Sequence, residues 1–343
     1  MKFSNRRLTA VAAMSLVASL GLTACGGDDD GGSGGGGGGD AATITFLPKN
    51  LGNPYFETSD AGGKTAVEAF GGTFEEVGPD TATPDSQVQF INTAAQQGVD
   101  ALVVSANDPS AICDALNEAR EGADVKVVTF DSDTDPECRD LYVNQADAAG
   151  IAKVQVEMIA EQIGGAGEIA VLSAAANATN QNEWIELMEE ELKTSHPDIE
   201  LVDTVYGDDD DQTSFDKTEA LLQSHPNLKG IVSPTTVGIA AAARYLSTSQ
   251  YKGKVALTGL GTPNQMREYV EDGTVTEFAL WNPEELGYLA AYAAKALVDG
   301  DIEGEGDTFE AGDLGEYTVG ADNVVLLGEP FRFNADNIAD FDF

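Results

Sequence analysis

Short apolar segments of this 343-residue chain are each followed at once by polar and aromatic side chains. Lys49, Asn53, Tyr55 and Phe56 follow the first of these segments, and Asp131 follows the fourth. Carboxylates and amides hydrogen-bond to hydroxyl groups, while aromatic faces stack on the C–H side of a sugar ring. Side chains of these types favour the binding of a neutral polyol.

The second half of the chain repeats the arrangement, with amides, hydroxyls and aromatic rings at residues 177–184, 234–236, 261–264 and 281–282. Each position alone has an equally acceptable structural interpretation. Asn53 precedes a proline and is suited to cap a helix, and the indole of Trp184 is suited to a core. The recurrence of polar groups at equivalent positions in both halves favours a ligand cleft.

An enzyme or a metal site is a competing interpretation of the acidic residues. Asp131, Asp133 and Asp135 resemble the first half of a calcium loop, but Pro136 stands where that loop needs glycine. We find no nucleophile, base and orienting group at a usable spacing, and residues 208–211 indicate a solvated acidic turn. We therefore expect no enzymatic activity, no cofactor and no metal.

Strands and helices must alternate to position these side chains. Residues 43–47, 101–105 and 125–130 are apolar runs without alternation, as expected for parallel strands covered by helices on both faces. A second series begins with a helix at 147–163 and a strand at 168–173. Repeated βα units predict doubly wound parallel sheets, which bind ligands beyond the carboxyl ends of their strands.

The number of strands favours two such α/β domains joined by a hinge of three segments. We expect an N-terminal lobe of residues 42–145 plus 282–305 and a C-terminal lobe of residues 146–281 plus 306–343.

In this scheme the chain crosses between the lobes near residues 144–145, near residues 281–282 and again at 300–312. Three crossings permit hinge closure around a ligand that contacts both lobes.

The first forty residues carry an export signal. Lys2, Arg6 and Arg7 precede an apolar run at residues 8–22, which is short for a membrane span. The following Leu-Thr-Ala-Cys resembles a bacterial lipobox, which implies a signal peptide over residues 1–24 and lipidation of Cys25. We expect the protein to be extracytoplasmic and anchored by lipid to the cell membrane.

Residues 25–41 are composed almost entirely of glycine and aspartate and predict a flexible tether. Removal of the signal peptide, with its three basic residues, takes the formal charge from −41 to about −44. A chain this acidic is unsuited to bind nucleic acid or an anionic bilayer through charge. Beyond Cys25 the sequence holds Cys113 and Cys138, which can form a disulfide in an exported protein or remain two buried thiols.

The whole body of the chain resembles the type I periplasmic binding proteins, the sugar-binding subunits of ABC importers. Asn53-Pro54-Tyr55-Phe56 is similar to the ligand loop of that family, Val128-Thr129-Phe130-Asp131 to a strand that ends in a sugar-binding aspartate, and Trp281-Asn282-Pro283 to a crossover segment. The resemblance implies a ligand set carried over by position: Lys49, Asn53, Tyr55, Phe56, Asp131, Asn180, Gln181, Pro234, Thr236 and Trp281.

Within the family, rhamnose-binding proteins are the nearer resemblance, through segments 48–56, 104–109, 143–147, 206–210, 233–240 and 259–267. Autoinducer-2-binding proteins share Lys49 and Trp281 and also the pair Cys113 and Cys138. Their pattern, however, has aspartate where this chain has Asn180 and Thr235.

The resemblance implies a lipoprotein that binds a neutral sugar, most closely L-rhamnose, and delivers it to the permease and ATPase subunits of an ABC importer. Two alternatives stay open. One is an autoinducer-2-binding protein, and the other is a ligand-sensing partner of a membrane receptor.

Overall fold

The computed structural model describes residues 41–343. The signal peptide expected over residues 1–24, the lipidation expected at Cys25 and all of the expected tether except residue 41 lie outside these described residues. Strands and helices alternate through the described chain, which confirms the α/β class predicted from the sequence.

Fourteen strands occur in the described chain: β1 (Thr43–Leu47), β2 (Thr73–Glu76), β3 (Ala101–Val104), β4 (Lys126–Phe130), β5 (Leu141–Asn144), β6 (Gly167–Ser173), β7 (Ile199–Tyr206), β8 (Leu228–Ser233), β9 (Ala256–Gly259), β10 (Glu277–Leu280), β11 (Thr308–Glu310), β12 (Glu316–Thr318), β13 (Val324–Leu326) and β14 (Phe331–Asn334).

Nine α-helices occur in the same residues: α1 (Pro54–Ala69), α2 (Val88–Gln97), α3 (Cys113–Ala123), α4 (Ala148–Ile163), α5 (Thr179–Ser195), α6 (Asp211–Ser224), α7 (Thr236–Thr248), α8 (Pro263–Glu271) and α9 (Pro283–Asp299). None of these described helices combines the length and the apolar character that crossing a bilayer requires.

The first sheet has six parallel strands in the order β13-β5-β4-β3-β1-β2. Its central strands are buried because helices cover both faces. Ile44 and Phe46 of β1 point into a core shared with α1 and α9, while Leu102 and Val104 of β3 point into a second core under α2 and α3. This two-sided burial explains why these strands read as continuous apolar runs.

Helices α1 and α9 pack closely against each other on this sheet, and glycine makes the contact possible. A Cβ atom at Gly62 would overlap the backbone oxygen of Glu284, and one at Gly287 would overlap the backbone oxygen of Ser59. Backbone contact with α9 therefore fixes the position of α1. The N-terminus of α1 points towards the carboxyl ends of the strands.

The second sheet has four parallel strands in the order β7-β6-β8-β9. A bridge between Leu260 and Ala279 places β10 beside β9, and β10 pairs antiparallel with β14. Helices α4 and α5 cover one face, and α6 and α7 cover the other. This second sheet and its helices form the other lobe of the two-lobed fold.

The C-terminal part of the expected lobe boundary needs correction. Residues 306–343 are expected in the C-terminal lobe. Strand β13, however, pairs with β5 at the edge of the first sheet and so belongs to the N-terminal lobe. The third crossing accordingly lies at 327–330, between β13 and β14, and not at 300–312. Three-residue strands carry too little periodicity to be recognised in a sequence, which explains the error.

Cys113 begins α3 and Cys138 lies in a 3₁₀ turn before β5, as their places between strands predict. The structure joins them in a disulfide with a Cα–Cα distance of 5.3 Å. The bond fastens α3 to the segment that follows β4, within the first lobe.

Candidate functional site

The carboxyl ends of the two sheets face a single cavity, which with its mouth holds about 380 Å³ of empty space. All ten residues of the set predicted from the sequence line it: Lys49, Asn53, Tyr55, Phe56, Asp131, Asn180, Gln181, Pro234, Thr236 and Trp281. The cavity also has five lining residues that the set missed: Trp184, Asp209, Thr235, Leu260 and Leu280.

The loop after β1 brings Lys49 and the first turn of α1 to the cavity. Asn53 caps α1, because its side-chain oxygen accepts from the backbone N–H of Tyr55 at 3.1 Å. The Asn107 side chain donates to the backbone oxygen of Lys49 at 2.9 Å, and the Gln87 amide donates to the backbone oxygen of Pro48 at 3.1 Å. Asn107 therefore supports the loop from outside the cavity.

Asp131 sits in a tight turn at the end of β4. Its φ is +61°, and the backbone N–H of Ser132 donates to the oxygen of Phe130 at 2.6 Å, which closes a three-residue γ-turn around Asp131. A positive φ is strained for a residue other than glycine, and such strain persists where the surroundings fix it. The turn directs the Asp131 carboxylate into the cavity.

The Asp131 carboxylate is held by three groups of the first lobe. The hydroxyls of Ser105 and Tyr55 donate to it at 2.9 and 3.0 Å, and Lys49 Nζ lies 3.9 Å from Asp131 Oδ2. Burial raises the pKa of Asp131, while Lys49 and the two hydroxyls oppose that increase. The result is a buried acceptor whose position is fixed before any ligand arrives.

Tyr55 links this carboxylate to the second crossing between the lobes. Its hydroxyl donates to Asp131 and accepts from Trp281 Nε1 at 2.8 Å. Burial and the neighbouring Asp131 raise the pKa of Tyr55 well above its ordinary value, so the phenol keeps its proton and remains a donor. The ligand loop and the hinge are thus joined through one hydrogen-bonded chain.

The N-terminus of α5 supplies the main polar contacts of the second lobe. Asn180 Oδ1 accepts from Lys49 Nζ at 3.3 Å, and Asn180 Nδ2 donates to the backbone oxygen of Asp131 at 3.4 Å. Gln181 Oε1 accepts from Ser173 Oγ at 2.7 Å and from the backbone N–H of Ala174 at 2.8 Å. These bonds orient the Gln181 side chain at the end of β6, so that its amide group borders the cavity.

A further contact joins the lobes outside the cavity. Asn177 Nδ2, in the loop after β6, donates to the backbone oxygen of Asn107 in the loop after β3, at 2.7 Å. Together with the bonds of Asn180, this contact holds the two lobes against each other. The structure therefore shows the closed arrangement of the cleft.

Asp209 corrects the expectation that the acidic stretch at 208–211 is only a solvated turn. It lines the cavity, and the Thr235 hydroxyl hydrogen-bonds to its carboxylate. Burial raises the pKa of Asp209. Two successive residues with positive φ, Asp208 and Asp209, turn this side chain inward. Turn geometry of this kind has no clear signature in an acidic run.

Apolar side chains close the remaining side of the cavity: Phe56, Trp184, Leu260, Leu280 and Trp281. The rings of Trp184 and Trp281 meet at 6.0 Å between centroids, with an interplanar angle of 62°. From the sequence, Trp184 suits either the hydrophobic core or the ligand cleft. Its spacing from Asn180, one helical turn earlier, was the available signal that both face the cavity.

Other acidic residues of the sequence inventory lie outside the cavity. Asp133 forms an ion pair with buried Arg139 at 2.7 Å. Among residues 41–343, Asp135 lies near the sulfur atoms of Cys113 and Cys138 in a group that could hold a metal ion, but those sulfurs form the disulfide. The cavity itself offers donors, acceptors and an apolar wall suited to a small polyol.

Comparison with known proteins agrees with this geometry. Residues 44–302 match the family described as periplasmic binding protein domain. A crystal structure of a sugar ABC transporter from Actinomyces odontolyticus is 55% identical, with a TM-score of 0.72 over 88% of this chain and 98% of that one.

Two further solved structures are similar over 88% of this chain. An ABC transporter solute binding protein from Clostridium phytofermentas with bound L-rhamnose is 41% identical over 98% of its own length, with a TM-score of 0.84. LsrB from Clostridium saccharobutylicum in complex with AI-2 is 29% identical over 100% of its own length, with a TM-score of 0.83.

Proposed function

The chain belongs to the periplasmic binding protein domain family, as a sugar-binding component of an ABC transporter, and from that premise we propose that its own ligand is L-rhamnose. Members of this family bind substrates and are not enzymes, and they act outside the cytoplasm. The ten predicted residues are the proposed ligand contacts, together with the five further residues that line the same cavity.

The cavity carries the proposal, because fixed hydrogen-bonding groups and apolar side chains line it together. Lys49, Asp131 and Asn180 supply polar groups, and Leu260 and Leu280 supply apolar ones. A sugar meets such a site with its hydroxyls on the polar side and its C–H groups on the apolar side. The relative with bound L-rhamnose, 41% identical, supports the choice of sugar.

Autoinducer-2 is less well suited to the contacts of Asn180. This amide both accepts from Lys49 and donates to the backbone oxygen of Asp131. The autoinducer-2-binding pattern has aspartate at this position. An ionised aspartate has no hydrogen-bond donor and would place a negative charge beside that oxygen. The contact of Asn180 across the cleft thus uses both the acceptor and the donor of an amide group.

The proposed mechanism is closure of a two-lobed clamp. The ligand contacts groups of both lobes, so its binding favours the closed arrangement over an open one. The closed form is then the one that a permease recognises, with an ATPase subunit supplying energy for import. We propose in addition that residues 1–24 are removed and that lipid on Cys25 anchors the protein to the cell membrane.

Isothermal titration calorimetry on the chain from residue 25 onward tests the ligand. We expect L-rhamnose to bind more tightly than autoinducer-2, D-ribose, D-allose or xylose. The variants Asp131→Ala and Gln181→Ala should each weaken binding of L-rhamnose, because truncating a buried hydrogen-bond partner removes a contact and leaves another group unpaired. Asp216→Ala, on the surface of α6, is the control. Tighter binding of autoinducer-2 than of L-rhamnose would overturn the proposal.

A further inference from the structure

We propose that Leu260 and Leu280 form a subsite for a methyl group, which makes the protein selective for 6-deoxy sugars over their 6-hydroxy and pentose analogues. This inference rests on the proposed function, since it concerns the same cavity. It adds a specific role for two residues that the sequence analysis did not single out. We call the surface formed by Leu260 and Leu280 the methyl corner.

Polarity in the cavity is divided strand by strand. The segments that follow β1, β4, β6, β7 and β8 contribute the charged, amide and hydroxyl side chains of the lining, whereas the ends of β9 and β10 contribute two leucines and Trp281. Leu260 comes directly after β9, and Leu280 is the last residue of β10. Because β9 and β10 are neighbours, their apolar ends form one continuous surface and not two isolated contacts.

The bridge between Leu260 and Ala279 fixes this surface. The backbone N–H of Leu260 donates to Ser233 at 2.9 Å, and that of Gly261 donates to Ala279 at 3.1 Å. Leu260 and Leu280 are only 2% and 1% exposed, so their side chains are packed into the core as well as against the cavity. The backbone polar groups of this corner are engaged with one another and leave leucine as the surface that a ligand meets.

Two tryptophan rings line the same cavity beside these leucines. The Trp281 Nε1–H is donated to Tyr55, and the Trp184 ring packs against that of Trp281. A sugar hydroxyl placed against the two leucine side chains would lose its hydrogen bonds to water and gain none from them, which is unfavourable. A methyl group placed there would leave water without such a loss.

The proposed orientation places the ring hydroxyls against the polar lining residues. With Lys49, Asp131 and Asn180 binding the ring hydroxyls, the substituent on C5 of the ring is the one that meets the methyl corner. In a 6-deoxyhexose that substituent is the C6 methyl. In the 6-hydroxy analogue it is a hydroxymethyl group, and in the pentose it is a hydrogen atom that leaves the corner unfilled.

Three sugars that differ only at C6 test the inference on the chain from residue 25 onward by calorimetry. L-rhamnose carries a methyl group, L-mannose a hydroxymethyl group and L-lyxose a hydrogen atom. A methylene-sized difference in an apolar pocket changes affinity about 10- to 200-fold, and an added hydroxyl is rejected about 100-fold. We expect L-rhamnose to bind at least about tenfold more tightly than either analogue. Equal or tighter binding of L-mannose or L-lyxose overturns the methyl corner.

Two variants with a control locate the effect. Leu280→Ala enlarges the corner and should reduce the preference for L-rhamnose over L-mannose. Leu260→Phe fills the methyl corner and should weaken the binding of L-rhamnose, while the affinity for L-lyxose stays unchanged. Leu257→Ala removes the same volume from the buried interior of β9 without touching the cavity, so it should lower stability and keep the preference. A changed preference in Leu257→Ala, or an unchanged one in both cavity variants, overturns the assignment.

Failure of the methyl corner and failure of the proposed ligand give different results. If L-rhamnose binds but the C6 series shows no preference, the ligand stands and the corner is wrong. If another sugar binds in place of L-rhamnose, the proposed ligand is wrong. The corner is then judged by whether the deoxy form of that sugar, with a terminal methyl, binds more tightly than the hydroxylated form. If no sugar binds, both are wrong.

Discussion

Asn177→Ala tests whether contact between the lobes contributes to ligand affinity. Asn177 does not line the cavity, yet its side chain donates across the cleft to the backbone oxygen of Asn107 at 2.7 Å. The contact exists only when the cleft is closed. Removing it should therefore lower the population of the closed form without removing any group that touches the sugar.

The expected magnitude follows from the strength of one neutral hydrogen bond, about 0.5–1.5 kcal/mol net. A difference of about 1.4 kcal/mol corresponds to tenfold in an equilibrium constant, so Asn177→Ala should weaken ligand binding about 2- to 12-fold. Apparent affinity falls in proportion to the population of the competent form. The loss should appear mainly as faster dissociation, because the closed form is the one destabilised.

Calorimetry and stopped-flow measurements on the best-bound sugar provide the assay. Asn182→Ala is a matched control, since Asn182 of α5 donates to the backbone oxygen of Ala176 at 2.9 Å within its own lobe and makes no bond across the cleft. We expect the control to bind as the unmodified protein does. Unchanged affinity in Asn177→Ala would refute the role of the contact, and a loss above about 100-fold would show that Asn177 acts on the ligand directly.

Three further predictions concern stability. Tyr55→Phe should lower the free energy of unfolding by about 2–5 kcal/mol, because it leaves the Trp281 N–H unpaired and removes a hydrogen-bond donor from the Asp131 carboxylate. A urea titration that shows a loss below about 0.5 kcal/mol would contradict this. Asp60 is 2% exposed, and burial raises its pKa well above the ordinary value of 3.8. Ionisation of Asp60 therefore lowers the stability of the folded protein progressively as the pH rises from 3.8 to the raised pKa. Asp60→Asn should therefore be more stable at neutral pH, with the gain vanishing below pH 3.8, and an equal gain at all pH values in thermal melts would disprove this. Replacing both Cys113 and Cys138 by serine opens a loop of 25 residues and should cost about 2–4 kcal/mol, which chemical denaturation with and without reductant would measure.

Local sequence patterns were sufficient to predict most of the fold. Helix α9 begins at Pro283, where the sequence predicts it, after its Asn282 cap, whereas α1 begins at Pro54 after an Asn53 cap whose role the sequence leaves open. The buried strands were equally clear, since an apolar run covered on both faces shows no alternation. These signals lie within a few residues of each other, so the sequence contains them directly.

Features that depend on distant parts of the chain were not predictable in this way. Strand β13 is three residues long and is a strand only because β5 offers it an edge. Asp209 reaches the cavity because its backbone adopts positive φ and Thr235, from another strand end, holds its carboxylate. Leu260 and Leu280 resemble any core leucine until β9 and β10 are seen to end at the cavity. In each case the property belongs to a tertiary arrangement and not to a local pattern.

The distribution of charge between the lobes indicates the order of binding. Lys49 and Asp131, which form the central ion pair, both belong to the first lobe, so their contact does not depend on a group of the second lobe. Of the second-lobe groups, Asn180 bonds to both of them only across the cleft. A buried ion pair needs additional hydrogen bonds to offset its desolvation, and water supplies them when the cleft is open. A sugar that replaces this water on the first lobe restores those bonds, and closure then adds the amides and the apolar wall of the second lobe. We therefore expect the first lobe to bind the ligand first and the second lobe to determine its selectivity.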